Sequence, residues 1–447
     1  MRIVETFKNI LKIEDLRNRI LWTIGLCAIY RLGSFIILPG IDANLLASVS
    51  ANHQDEGLLA LLDMFSGGAF SNASIFALGI MPYISASIVV QLLTMVVPKF
   101  QKMSRDGESG HNQINQITRY LTVVILILQS LAYIISQNSL FANTGGVNPI
   151  VDYSLGFIIS SIIILTAGSM FVLWLGERIT EKGIGNGISF LIMIGIIARL
   201  PQALSIEFAD RNNGAGGLVM FLLEIFFLIL VIGICILLVQ GTRKVPVQYA
   251  KQIRGNRQYG GVRQYIPLKV NAAGVMPIIF AQAIMFVPMM AAGYSTSKTG
   301  FWSSFTDPNS FAYNATCAVL IVVFTYFYTA ITMNPVQMAE AFKSQNGFIP
   351  GVKPGKATAD YLDTIMTRIT LPGSLFLALV AILPFVARQI GVSTSFAQFF
   401  GGTSLLILVG VVLDTLQQVE SHLMMHHYDG LMKSGKIKGR TGSVAAY

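Results

Sequence analysis

Ala-Leu-Gly-Ile-Met-Pro-Tyr-Ile, at residues 77–84, returns later in the chain as Ala-Ala-Gly-Val-Met-Pro-Ile-Ile, at residues 272–279. Five of the eight positions are identical, and both copies share a Gly-x-Met-Pro frame within an apolar stretch. Chance similarity between two apolar stretches is the alternative to a true repeat. A repeat predicts two halves of similar length. Because Gly and Pro each weaken the helical hydrogen-bond ladder, we expect the two helices that carry the frame to bend or shift where a seam between the halves opens.

The composition of the whole chain is typical of a membrane protein. Of its 447 residues, 53% are hydrophobic and only 12% are charged. Soluble domains carry roughly 25% charged residues. Most of the hydrophobic residues fall in blocks that approach the length needed to cross a ~30 Å hydrocarbon layer. We predict ten spans from these blocks, at residues 21–38, 73–97, 120–137, 155–175, 187–200, 218–239, 272–292, 312–333, 370–387 and 402–416.

The basic residues predict the orientation of these spans. If both termini are cytoplasmic, 26 of the 31 Lys and Arg residues fall in cytoplasmic segments and Arg31 lies within the first span. The four counted as external are Arg199, at the outer end of the fifth block, Arg211, Lys298 and Arg388. Basic residues concentrate on the cytoplasmic side of membrane proteins. Omitting the short fifth block would place residues 243–269, with seven basic residues, on the outside. We therefore predict an all-α membrane protein with ten transmembrane helices and two cytoplasmic termini.

The two repeat copies lie in the second and seventh blocks, five spans apart. Because five is odd, two five-helix halves would point in opposite directions through the bilayer. Inverted repeats of this kind place a transport path where the halves meet. The predicted segments are a cytoplasmic amphipathic segment at 1–20, an N-terminal half at 21–200, a C-terminal half at 201–416 with basic cytoplasmic loops at about 240–271 and 334–369, and a cytoplasmic tail at 417–447.

The apolar blocks contain few groups that could perform chemistry. Ion-coupled transporters and intramembrane proteases need acidic residues or histidines at membrane depth, and here Glu224 and Asp414 lie only near block ends. A His-Glu-x-x-His zinc motif is missing, and residues 351–356 lack the spacing of a phosphate-binding loop. We predict no enzyme activity, cofactor or metal. These observations disfavour a secondary transporter and an intramembrane enzyme, and they favour a conduit that is closed by an apolar constriction.

Arg31 is the exceptional charge, about midway along the first block. A charge at the centre of a bilayer costs about 3 kcal/mol or more. Its side chain should therefore face carbonyl groups or a polar interior. Two roles stay open for it, which are packing between helices and lining a channel.

Seven longer motifs are spread from the first block to the last. They are Tyr-Arg-Leu-Gly-Ser at 30–34, Met-Phe-Ser-Gly-Gly-Ala at 64–69, the stretch at 73–87, the stretch from Trp-Leu-Gly-Glu to Asn-Gly-Ile-Ser at 174–189, Pro-Leu-Lys-Val-Asn at 267–271, Met-Thr-Arg at 366–368 and Phe-Gly-Gly-Thr-Ser-Leu-Leu-Ile at 400–407. Together they resemble the SecY family, the channel-forming subunits of the bacterial Sec translocase.

The resemblance implies a multi-pass protein of the bacterial inner membrane with a central pore between two halves. It implies translocation of unfolded preproteins that carry signal sequences, and lateral release of transmembrane segments into the lipid. The implied partners are the SecE and SecG subunits, the SecA ATPase and the ribosome, with SecA or the ribosome driving a passive channel.

The resemblance also implies roles for individual residues. A ring of isoleucines would close the pore, formed by Ile80, Ile84, Ile188, Ile192, Ile279 and Ile407. Residues 61–72 would form a plug that includes Phe65, Ser66, Gly67 and Gly68. The alternatives are ordinary helix packing for the isoleucines and a plain external loop for residues 61–72. The i, i+4 spacing within the first two isoleucine pairs places each pair on one helix face.

Two further sets of residues follow from the same resemblance. The lateral gate, a seam between the second and third helices and the seventh and eighth, would include Ser85, Gln129 and Gln282. The cytoplasmic loops would bind partners through Arg243, Lys244, Arg254, Arg257, Lys353 and Arg368. Attraction of anionic lipid is the alternative role for these basic residues. The family's Arg-Pro-Gly reads Lys-Pro-Gly from Lys353 in this chain.

Overall fold

The computed structural model describes residues 13–42, 45, 63, 65–142, 150, 153–213, 217–249, 252–254, 257–259, 263–293 and 310–433. These residues divide into two compact units. Described residues 13–199 and 411–433 belong to the first unit, and Leu200–Gly410 belong to the second.

The described chain is mainly helical. Its helices are α1 (Glu14–Gly33), α2 (Met81–Val96), α3 (Pro98–Arg105), α4 (Glu108–Ala142), α5 (Leu155–Lys182), α6 (Gly187–Asn213), α7 (Gly217–Gln240), α8 (Met276–Gly293), α9 (Phe311–Thr332), α10 (Pro335–Ser344), α11 (Lys356–Gln389), α12 (Thr394–Ala397) and α13 (Gly402–Lys433), with a 3₁₀ turn at Gln398–Phe400. The strands are β1 (Thr242–Tyr249), β2 (Gln252–Arg254), β3 (Arg257–Tyr259), β4 (Arg263–Lys269) and β5 (Gly347–Phe348).

Seven helices in the described part of the chain are long and apolar enough to cross a membrane. The number is eight if α2 and α3, which meet at a 102° bend, count as one broken span. The seven include α6 and α13, which contain the short fifth and tenth blocks. Both helices continue well beyond their apolar blocks, because polar residues end an apolar run without ending a helix. The count of ten spans stays a prediction.

Both copies of the repeat lie at the start of a helix. Gly79 and Gly274 have φ angles of +53° and +63°, and α2 and α8 begin two residues later, at Met81 and Met276. Glycine adopts positive φ at little cost because it has no Cβ. The proline that follows each Met stands in the first helical turn, where its missing N–H removes no helical hydrogen bond. The frame therefore starts these helices rather than bending them, and the described chain bends instead between α2 and α3. That the two helices shift where a seam opens stays a prediction.

The core of the first unit forms around residues 65–80, which are mostly turns between α1 and α2. Its buried members are Leu38, Phe70, Ala77, Tyr133, Ile134 and Leu165, which bring this segment against α4 and α5. Phe76 stacks on Tyr30 of α1 and on Phe171 of α5, with ring centroids 6.1 Å and 6.0 Å apart. A Cβ at Gly168 of α5 would lie 2.2 Å from the carbonyl oxygen of Ile75, so a glycine is required there.

The second unit contains an antiparallel sheet in the order β4-β1-β5. Val245 and Val247 alternate with more exposed residues along β1, as expected for a strand with one buried face. They share a core with Leu268, Ile349, Leu362 and Met366. The two segments predicted as cytoplasmic loops thus contribute regular structure to one small core, together with the first turns of α11.

Candidate functional site

Residues 63 and 65–74, hereafter the 63–74 segment, form a compact turn in the first unit. The backbone carbonyl of Asp63 accepts a hydrogen bond from the Gly68 N–H at 2.9 Å, and its carboxylate accepts one from the Ser71 N–H at 2.8 Å. The Ser66 hydroxyl accepts a hydrogen bond from the Phe70 N–H at 3.0 Å. Gly67 has a φ of +66°, a conformation that favours glycine. Local polar contacts therefore fold the segment upon itself.

Two tyrosines from neighbouring helices bind the backbone of this segment. The Tyr133 hydroxyl on α4 donates to the carbonyl oxygen of Phe70 at 2.8 Å, and the Tyr30 hydroxyl on α1 donates to that of Ser66 at 3.3 Å. Both tyrosines are at least 95% buried. Buried carbonyl groups need such partners because water does not reach them.

Arg31 contacts the same segment. Helix α1 ends at Gly33, so Arg31 lies in its last turn. The Arg31 guanidinium donates to the carbonyl oxygen of Gly67 at 2.5 Å and lies 5.1 Å from the centre of the Phe35 ring. A charge in an apolar setting is costly without a polar partner, and the Gly67 carbonyl supplies that partner to Arg31.

Arg199 of α6 was not among the residues selected from the sequence. Its guanidinium forms an ion pair with the Asp63 carboxylate and donates to the Ser71 hydroxyl at 2.8 Å. The side chains of Arg199 and Asp63 are 19% and 17% exposed. One turn earlier on α6, a Cβ at Gly195 would lie 2.7 Å from the carbonyl oxygen of Phe65. The glycine therefore allows the backbone of the 63–74 segment to contact α6 directly.

The first unit holds four of the six isoleucines predicted to form a ring. Ile80 is the N-cap of α2 and is buried, and its carbonyl oxygen accepts the Ile84 N–H at 3.2 Å. Ile188 and Ile192 lie in the first two turns of α6, where Asn186 caps the helix through the Ile188 N–H at 3.1 Å. Ile192 is buried, and Ile84 and Ile188 are half-buried.

The other two predicted ring members belong to the second unit. Ile279 is half-buried in the first turn of α8, and Ile407 is buried in the second turn of α13. That the six side chains surround one axis stays a prediction.

The predicted gate residues lie on helices that pack in pairs within each unit. In the first unit, α2 packs against α4, with Ser85 and Gln129 both half-buried on these helices. The Ser85 hydroxyl donates to the carbonyl oxygen of Met81 in its own helix at 3.1 Å. In the second unit, α8 packs against α9, and Gln282 of α8 is half-buried. The lateral seam stays a prediction.

The predicted partner-binding residues lie in the second unit. Arg243 and Lys244 are exposed on β1, and Lys353 and Arg368 are exposed near and on α11. The backbones of Arg254 and Arg257 are direct partners in the β2–β3 pair. Exposed basic side chains such as those of Arg243, Lys244, Lys353 and Arg368 are suited to an acidic protein surface or to phosphate groups.

A second ionic cluster was also missed from the sequence. In the second unit, Arg211 donates to the Glu207 carboxylate at 3.0 Å, to the Glu224 carboxylate at 2.5 Å and to the carbonyl oxygen of Gly391 at 2.7 Å. Glu207 also accepts the Ser393 N–H at 2.9 Å. The i, i+4 spacing of Glu207 and Arg211 on one helix was the available signal. Within the described ranges, no three His, Cys, Asp or Glu side chains come together as a metal site would require.

Comparisons with known proteins agree on one family. The family model described as SecY matches residues 74–416. The protein translocase subunit SecY of Mycobacterium bovis is 40% identical over 451 residues, which cover 96% of this chain and 100% of the relative.

Solved structures show the same fold. A structure of a protein-conducting channel covers 96% of this chain and 95% of its own, with a TM-score of 0.62 and 16% identity. Two others have a TM-score of 0.58, 15% identity and coverages of 96% and 95%. One concerns the plug domain of a SecY protein, which stabilises the closed state of the translocation channel and maintains a membrane seal. The other is Sec61 in a canine ribosome–channel complex from the endoplasmic reticulum.

Proposed function

This chain belongs to the SecY family, and from that membership we propose that it is the channel through which unfolded preproteins cross the bacterial inner membrane. Its relatives are protein translocase subunits. Membership in this family makes the chain a transport component rather than an enzyme. Both termini face the cytoplasm in this proposal, as the distribution of basic residues predicts.

The observation that carries the proposal is the buried 63–74 segment. The segment contacts Tyr133, Leu165 and Gly195, the first two through its own Phe70. These three residues lie in α4, α5 and α6, which are all of membrane-spanning length. Non-helical backbone at membrane depth is tolerated only where it is buried in protein or lines a water-filled cavity. The segment is not a continuous helix, but it is buried in protein, and polar contacts satisfy its backbone. It therefore acts as a plug that seals the resting channel and leaves its site when the channel opens.

The six isoleucines form the narrowest part of the path in this proposal. An apolar collar excludes water, and ions then meet a high barrier because they would have to lose their hydration. Flexible aliphatic side chains still adapt to an extended polypeptide. The collar therefore restricts ions during translocation, when the plug has moved away.

The lateral gate completes the proposed path. Polar contacts between membrane helices are worth only about 0.6 kcal/mol on average. Contacts made by Ser85, Gln129 and Gln282 are therefore readily exchanged for contacts with a signal sequence or a transmembrane segment. Such a segment leaves the channel for the lipid through this seam.

The driving force comes from partners. SecE and SecG complete the channel, and SecA or the ribosome docks on the exposed basic residues of the second unit and pushes the polypeptide. A Sec61 channel of the same fold is part of a ribosome–channel complex. The residues that carry the contact are those of β1, the β2–β3 pair, Lys353 and Arg368.

Depletion of the protein tests the function directly. Cells depleted of the chain should accumulate uncleaved secretory precursors in the cytoplasm within a few doublings. Pulse-labelling of one secreted and one cytoplasmic protein separates an export defect from a general loss of synthesis. Normal maturation of several signal-bearing precursors after depletion would contradict the proposal.

A further inference from the structure

One face of α6 carries both the predicted ring residues and the contacts to the 63–74 segment. Ile188, Ile192, Gly195 and Arg199 follow one another at i, i+4, i+7 and i+11, the spacing of a single helical stripe. Ile197, which falls on the opposite face, is 43% exposed. The stripe therefore contains, in order, the two isoleucines, Gly195, which the segment contacts, and Arg199, which pairs with Asp63.

The contacts made by Arg199 differ in kind from those of the two tyrosines. Tyr30 and Tyr133 bind backbone carbonyl groups, which any residue supplies. Arg199 instead binds side chains of the segment, the carboxylate of Asp63 and the hydroxyl of Ser71. The position of the segment against α6 thus depends on a specific pair of opposite charges.

Asp63 links the internal fold of the segment to this pairing. One carboxylate oxygen accepts the Ser71 N–H and the other pairs with Arg199. A carboxylate and a guanidinium that are both more than four-fifths buried lose much of their hydration, so separating them without a replacement partner is unfavourable. Movement of the segment away from α6 separates these two groups.

We propose that Arg199 and Asp63 form an electrostatic latch that holds the plug in its closed position on α6. The inference rests on the proposed plug function of the 63–74 segment. In the resting channel the ion pair opposes displacement of the segment. When a polypeptide enters, Arg199 and Asp63 separate and both become accessible to water, which replaces their lost partner. Arg199 is thus a positioning residue whose charge determines how often the resting channel leaks.

The test is the ion conductance of the purified resting complex in planar bilayers. Arg199→Gln removes the charge, and Asp63→Asn removes the opposite charge while keeping an acceptor for the Ser71 N–H. Each should raise the frequency of spontaneous openings several-fold. Arg199→Lys keeps the charge and should remain close to the wild type. The Arg199→Gln/Asp63→Asn double variant should leak no more than either single variant, because both remove the same interaction.

The matched control is Arg388→Gln on α11, which removes another arginine from a predicted external segment and should leave the conductance unchanged. A variant without residues 61–72 separates the latch from the plug. If that deletion leaks and Arg199→Gln does not, the latch is refuted and the plug survives. If neither variant leaks, the plug proposal fails and the latch fails with it. Equal leakage of Arg199→Lys and Arg199→Gln would also overturn the latch, since the charge would then be irrelevant.

Discussion

Tyr133 binds Phe70 in two ways at once. Its hydroxyl donates to the Phe70 carbonyl oxygen at 2.8 Å, and the two rings meet edge to face with centroids 4.8 Å apart. Both side chains are buried. The first contact satisfies an otherwise isolated backbone carbonyl, and the second contributes to the core of the first unit.

Tyr133→Phe should therefore loosen the 63–74 segment while leaving the ring packing in place. An unsatisfied buried carbonyl costs about 1–3 kcal/mol. The purified complex should unfold at a lower temperature, and its resting ion conductance should rise. Tyr153→Phe is the control, because Tyr153 is 46% exposed. Equal effects of the two variants would show that the buried hydrogen bond has no special role.

Arg211→Met should destabilise the second unit severely. It leaves Glu207, which is 1% exposed, and Glu224 without their shared cation. Breaking a buried ion pair by removing one partner costs about 3–5 kcal/mol. Glu224→Gln keeps an oxygen that accepts from Arg211, so its effect should be clearly smaller. Thermal unfolding of the detergent-solubilised complex measures both, and similar unfolding temperatures for Arg211→Met and the wild type would refute a role for the cluster in stability.

Polar substitutions in the isoleucine ring should weaken the closed state. Ile84→Asn and Ile279→Asn admit water to an apolar collar, and the channel should then open with weaker signals. Export of a precursor with a defective signal sequence should rise in both variants. Ile84→Leu and Ile279→Leu keep the collar apolar and serve as controls. No increase in export with the Asn variants would count against the ring.

Charge reversal in the β2–β3 pair should weaken partner binding. Arg254→Glu together with Arg257→Glu replaces two neighbouring positive charges with negative ones. Affinity for SecA or for ribosomes should fall, and the difference from the wild type should shrink at high salt because surface charges are then screened. Lys102→Glu on α3 is the control, because Lys102 is an exposed basic residue that is also predicted to be cytoplasmic but lies outside the proposed docking surface. Unchanged affinity would exclude this pair from the interface.

The sequence predicted the positions of the helices better than the residues at which they begin and end. Apolar length located the helices, but the predicted spans at 73–97 and 272–292 begin before the Gly-x-Met-Pro frame, whereas α2 and α8 begin at its Met. Composition alone does not separate a proline that breaks a helix from one that begins it, because both lie in apolar runs. The deciding feature is the positive φ of the preceding glycine, a property of the folded backbone.

The candidate site was predictable only in part. The resemblance predicted a plug that includes Phe65 to Gly68, because the motif at 64–69 is continuous in the chain. The partners of that segment are distant in sequence: Asp63 and Arg199 are 136 positions apart, and neither lies in a local pattern that signals an ion pair. Only the packing of α6 against the segment brings them together. Glu207 and Arg211, by contrast, are four residues apart, so helical periodicity alone predicts that their side chains are neighbours.

The isoleucine ring is tested by asking which residues touch a polypeptide in transit. A photo-cross-linking amino acid is placed at 84, 192, 279 or 407, and a preprotein is stalled halfway through the channel by a folded C-terminal domain. If the isoleucines surround one path, all four positions should cross-link to the same short stretch of the stalled chain, and position 219, where Val219 is 78% exposed on α7, should give no cross-link to it. Cross-links to lipid or to other helices at these isoleucine positions, with none to the preprotein, would contradict the isoleucine ring.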